Sequence, residues 1–223
     1  MDVLLILVAF CVTVFAQIFV SSSYKKYSKV EAKSKLTGFE VARAILDKHG
    51  LNDMYITEIS GTMTDCYDSS RKVVKLSKNV FHGTSIASLA IAAHECGHAI
   101  QDKENYGFLR FRETMLPLVS FSSKGGYIAI LVGLIFNLLM LLLIGIVLEL
   151  IILIFQLVTL PVEFDASNRA KKELYSEKFV TKEEGGKVDT MLKAAAYTYV
   201  AGVISNVLEL LRLIFIFGSN DKN

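Results

Sequence analysis

From Tyr127 to Leu160 the chain runs 34 residues with little interruption beyond Asn137, Glu149 and Gln156. In hydrocarbon, backbone N–H and C=O groups must be satisfied within the segment, so such a block is read as helical. As one straight helix it measures about 51 Å, against roughly 30 Å of bilayer core. Two crossings fit better: a helical hairpin turning between Leu142 and Glu149, with Gly145 the expected break and the first arm beginning nearer Leu116. A re-entrant hairpin is the alternative.

Two further apolar blocks flank it. Val3 to Val20 is apolar except for Thr13 and Gln17. A cleaved leader is one reading, but Met1-Asp2 carries no positive charge while Lys25, Lys26 and Lys29 follow the run, which favours a retained anchor. The third block runs from about Ala194 to Phe217 and holds Glu209 and Arg212, neighbours on a helix. Arg212 is expected at the depth of Glu149, where the two can pair or, alternatively, both snorkel to the outer interface. Of 24 Lys/Arg, residues 21–115 hold fourteen and residues 161–193 seven. Both segments are therefore expected on the cytoplasmic side, with the N-terminus outward. The expected organisation is an anchor (1–20), a polar segment (21–115), a membrane hairpin (116–160), a second polar segment (161–193), and a last helix with a short tail (194–223). A formal net charge of +2 argues against nucleic acid as a partner. Cys11, Cys66 and Cys96 are widely separated and argue against a disulfide framework.

The first polar segment has room for a small α+β unit. Thr37 to Gly50 reads as a helix with an apolar stripe of Phe39, Val41, Ala42, Ile45 and Leu46. Met54–Met63 and Lys72–Leu76 read as two strands of a hairpin, with Asp68-Ser69-Ser70 as a turn between them. Such an edge can pair with an extended peptide. A helix capped by Thr84 or Ser85 and ending near Lys103 is expected next.

That helix carries His94-Glu95-Cys96-Gly97-His98. Imidazoles four residues apart share a face and can grip one zinc ion. Glu95 beside them can take a proton from a water that the ion activates. Gly97 costs roughly 1 kcal/mol of helix propensity, for which a close-packed neighbour or approaching substrate would be the reason. A catalytic zinc wants three protein ligands and an open position. His49 suits a helix C-terminus, and His82 precedes the helix start as a lesser candidate. The third donor is expected to be a carboxylate from a second helix. Glu163 is best placed, where the hairpin re-enters the polar layer and Pro161 can kink it. Asp165 competes, but lies about 200° away around that helix. Asp165, Ser167 and Asn168 can orient the imidazoles; Arg169, Tyr197, Tyr199 and His82 are candidates for stabilising an oxyanion.

With these residues placed, the chain resembles the membrane-bound neutral zinc metallopeptidases of the YugP group. The likeness is carried by His94-Glu95-x-x-His98 and Pro161-Val162-Glu163-Phe164-Asp165-Ala166-Ser167. It extends over Thr37-Gly38-Phe39-Glu40-Val41-Ala42-Arg43, Lys72-Val73-Val74-Lys75-Leu76-Ser77, Phe155-Gln156-Leu157-Val158-Thr159-Leu160 and Leu192 to Ala201. More distantly the chain is similar to HtpX-type and prenyl-protein CAAX membrane endopeptidases. That resemblance implies His94, His98 and Glu163 as zinc ligands, Glu95 as base, and a site at the cytoplasmic membrane surface. Those relatives usually show Glu-Phe-x-Ala-Asp; here Ser167 stands in place of the aspartate. The expected fold is mainly α and integral to the membrane, with about four transmembrane helices and a small α+β zincin-like cytoplasmic catalytic layer. The expected function is zinc-dependent hydrolysis of membrane or membrane-adjacent polypeptides. A non-catalytic zinc-stabilised scaffold or adaptor is the rival reading.

Overall fold

Seven helices and three short strands make up the computed structural model, which describes residues 2–220. The tail at 221–223 lies outside the described residues. The chain divides into two compact units.

The membrane unit is drawn from the first seventeen residues, Arg110–Pro161 and the chain from Thr198 onward. It takes in much of α1 (Asp2–Tyr27), α5 (Gly107–Ile135), the first part of α6 (Leu139–Ser176) and the end of α7 (Lys182–Asn220). All four helices are long and apolar enough to cross a bilayer, and the chain is a mainly α membrane protein.

The hairpin turns at Phe136–Leu138, not between Leu142 and Glu149. Asn137 adopts φ 54° and Leu138 N–H reaches back to Gly133 O at 2.9 Å, a left-handed helix stop of the kind asparagine tolerates. Gly145 is helical instead, because its missing side chain is needed for packing. A Cβ there would lie 2.5 Å from Ile130 Cγ1, and one on Gly133 would lie 2.8 Å from Leu142 N. In lipid, small residues at a crossing let two helices approach closely. The first arm begins at Gly107, upstream of Leu116, which gives both arms a full span. Thr13 and Ser205 hydroxyls meet at 2.9 Å and join α1 to α7. Arg212 pairs with Glu209 one turn away, and Glu149 accepts from Asn206.

The polar unit comprises Ile18–Leu109 and Val162–Tyr197. Both charged segments therefore fold together, as a chain that crosses and returns requires. Helix α2 (Gly38–Lys48) begins with a capping box: Thr37 Oγ1 accepts from Glu40 N–H while Glu40 accepts from Thr37 N–H. Its stripe of Val41, Ala42, Ile45 and Leu46 is fully buried. Facing it in the same core are Leu89, Ala93, Cys96 and Ile100 of α4 (Ile86–Lys103). The Cys96 thiol points to Ala42 O at 3.6 Å, toward α2.

The sheet has the order β1-β3-β2. Strand β1 (Tyr55–Ile59) runs parallel to β3 (Val73–Ser77), so the two expected strands do not form a hairpin. The antiparallel partner of β3 is β2 (Cys66–Asp68), three residues too short to give a periodic signal. The turn at Asp68 is real, but it joins β2 to β3: Asp68 Oδ1 accepts from Ser70 Oγ and Arg71 N–H. A short helix α3 (Lys78–Phe81) then leads to Ser85, which caps α4 by accepting from Ser88 N–H at 3.1 Å.

Candidate metal centre

On α4, positions 94, 97, 98 and 101 fall on one stripe, three and four residues apart. That stripe faces the polar end of α6. Gly97 is the contact point: a Cβ there would lie 2.6 Å from Ala166 O and 3.1 Å from its Cα. A close-packed neighbour is thus the reason for glycine inside the motif.

The close approach brings Glu163 to the imidazoles. Its Oε2 lies 3.3 Å from His94 Nε2 and 3.6 Å from His98 Nε2. The three donor atoms all lie within 4.8 Å of one another. Tetrahedral bonds of about 2.1 Å separate neighbouring ligands by about 3.4 Å, so the donor set suits zinc in chemistry and its two carboxylate–imidazole separations lie close to that spacing. Glu163 is 2% exposed. A buried carboxylate facing two nitrogens is costly to keep without a positive charge among them.

Each imidazole is held from behind. Ser167 Oγ lies 3.2 Å from His94 Nδ1. Gln101 Oε1 lies 3.0 Å from His98 Nδ1, and the Gln101 amide donates to Val162 O and Asp165 Oδ2, both at 2.8 Å. Gln101 is wholly buried. Asp165 also accepts from Arg169, whose guanidinium reaches Glu104 at 2.7 Å. Asp165 therefore braces Gln101 and stays out of the donor cluster, as its angle around the helix requires.

Glu95 is buried, and its Oε2 accepts from Tyr67 N–H of β2 at 2.8 Å. Burial pushes its carboxyl above the usual range, opposed by the two histidines. A carboxylate so placed has the raised proton affinity that suits a general base.

The profile of a family described as "Putative neutral zinc metallopeptidase" matches residues 2–218. The chain belongs to that family. A curated protein of Bacillus subtilis (strain 168) named "Putative membrane protease YugP" is 44% identical over 222 residues, spanning 99% of both chains. No solved structure matches the chain.

For this zinc metallopeptidase family member, the other sequence candidates have different placements. His82 lies 2.7 Å from Glu58, and His49 lies 3.0 Å from Glu173, so neither joins the cluster. Tyr197 stacks on Phe19 at 6.1 Å. Tyr199 belongs to the membrane unit. Arg169 is engaged by Asp165 and Glu104. Asn168 is exposed. Sequence reasoning missed Gln101 and Tyr67. Gln101 had a signal, since it lies seven residues beyond His94 on the same stripe. Tyr67 acts through its backbone N–H and had none.

Proposed function

We propose that the chain is a membrane endopeptidase in which His94, His98 and Glu163 hold zinc and Glu95 is the general base. The convergence of two imidazole nitrogens and one buried carboxylate at tetrahedral spacing carries this reading. Zinc bound there would supply Lewis-acid polarisation of a scissile carbonyl and activation of water. Glu95 takes the proton of the attacking water and delivers it to the leaving amine. The Tyr67 N–H holds one Glu95 oxygen, leaving the other to work. Ser167 and Gln101 fix the ring planes, so that each imidazole presents Nε2 to the ion.

Strand β2 is an edge of the sheet, and its Tyr67 touches Glu95. An extended substrate adding to that edge would lie alongside the base. Glu163 follows the apolar stretch of α6 directly in the chain, which supports membrane or membrane-adjacent polypeptides as substrates. The weight of Lys and Arg in both polar segments supports a site on the cytoplasmic side.

Purified full-length protein loaded with zinc is expected to cleave a casein-type substrate. Glu95→Gln should lower the rate about 10²–10⁴-fold with zinc content unchanged. Equal rates in wild type and variant would discard this mechanism. Glu163→Ala should lose zinc by elemental analysis; full retention would remove Glu163 from the ligand set.

A further inference from the structure

Helix α4 offers β2 a second carboxylate besides Glu95. Glu95 and Asp102 lie seven residues apart, two turns, on one side of the helix. Tyr67 of β2 binds both. Its backbone N–H donates to Glu95 Oε2 at 2.8 Å, and its phenol donates to Asp102 Oδ2 at 2.5 Å. The two acceptor residues are separated by about 10 Å along the helix axis. From that backbone position a serine or threonine hydroxyl is too short to reach Asp102, and phenylalanine has no donor.

The turn after β2 reaches the same oxygen. Lys72 Nζ donates to Asp102 Oδ2. Lys72 adopts φ 52°, a left-handed backbone that glycine or asparagine fills more readily. A lysine there carries a backbone cost, and its ammonium on Asp102 gives the position a use. Asp102 is 4% exposed, and a carboxylate so buried needs donors of this kind.

Strand β2 depends on such an anchor. It has three residues, lies at the sheet edge and pairs with β3 on one side. Short edge pairings fray readily. The Tyr67 N–H stays on Glu95 while β2 keeps its height along α4, and the phenol on Asp102 sets that height.

We propose that Tyr67 is a positioning residue: its phenol, held by Asp102, fixes the β2 backbone so that its N–H keeps Glu95 oriented for proton transfer. The effect on rate rests on the hydrolytic reading, whereas the clasp between β2 and α4 can be measured without turnover.

The test uses full-length, zinc-loaded protein in detergent, with casein as substrate and hydrogen exchange by mass spectrometry as a second readout. Tyr67→Phe should lower kcat about tenfold, with KM within about twofold and zinc content unchanged, a fraction of what the base itself contributes. The peptide over residues 64–70 should exchange about fivefold faster, while unchanged exchange over α2 reports that the polar unit stays folded. Asp102→Leu should reproduce both effects, and the double variant should fall no further than either single one, since they break one link. Asp102→Asn keeps an oxygen for the phenol and should restore most of what Asp102→Leu loses. Unchanged exchange in Tyr67→Phe overturns the clasp, whether or not the protein cleaves casein. Faster exchange with kcat unchanged overturns the positioning role and leaves a structural contact. A loss in Tyr67→Phe that Asp102→Leu does not reproduce also overturns it, and gives the phenol a direct part at the substrate. Wild type that cleaves no casein, with faster exchange in both variants, sinks the hydrolytic reading and the rate effect with it, while the clasp stands.

Discussion

Gln101 shows how much one side chain can decide. Its carbonyl meets His98 while its amide bridges Val162 and Asp165, so it ties α4 to the helix bearing Glu163. Gln101→Leu keeps the volume but removes both links. Zinc affinity should then fall about 10–100-fold in a chelator competition, the usual effect of losing a partner behind a ligand. An unchanged affinity would mean that packing alone orients His98. The pairing of His94 with His98 was legible from their spacing, because four residues make one helical turn. The role of Tyr67 was not, because any residue but proline supplies a backbone N–H.

Among the elements, the crossing of α4 and α6 sets the centre, and Gly97 sets the crossing. Gly97→Ala should favour α4 by roughly 1 kcal/mol in propensity. It should nevertheless destabilise the protein by about 1–3 kcal/mol, since the added methyl overlaps Ala166 backbone. A lower thermal midpoint together with weakened zinc binding is the expected result; a raised midpoint would contradict the close contact. At α2, Thr37→Ala removes a capping-box oxygen and should cost about 1 kcal/mol, read from denaturant unfolding, with zinc binding retained. Helices were readable because apolar stripes and caps are local. The sheet was only half readable, since β2 has three residues and a parallel β1–β3 pairing leaves no mark in sequence.

At the scale of the molecule, both charged segments build one unit, and the proposed topology has the hairpin of α5 and α6 bring the chain back to the side it left. A cysteine at Asn137 should therefore react with an impermeant maleimide from outside intact cells. One at Ser69 should react only after permeabilisation. Labelling of both from the same side would break the proposed topology. The position of the turn escaped the sequence reading because glycine has two uses. Gly145 looked like a break and proves to be a contact, whereas Asn137 makes the turn by accepting a left-handed backbone.

Local chemistry in the sequence was enough to determine the membrane helices, the face shared by His94 and His98, and the return of Glu163 toward their side. These follow from hydrophobic length, helical period and charge bias, each a property of neighbouring residues. Tertiary structure alone decided that Glu163 comes within 3.3 Å of His94, that Gln101 and Ser167 stand behind the rings, and that β2 holds Glu95. Those contacts join residues up to 73 positions apart, as between His94 and Ser167. Only the packing of one helix on another, through a missing side chain at Gly97, fixes such distances.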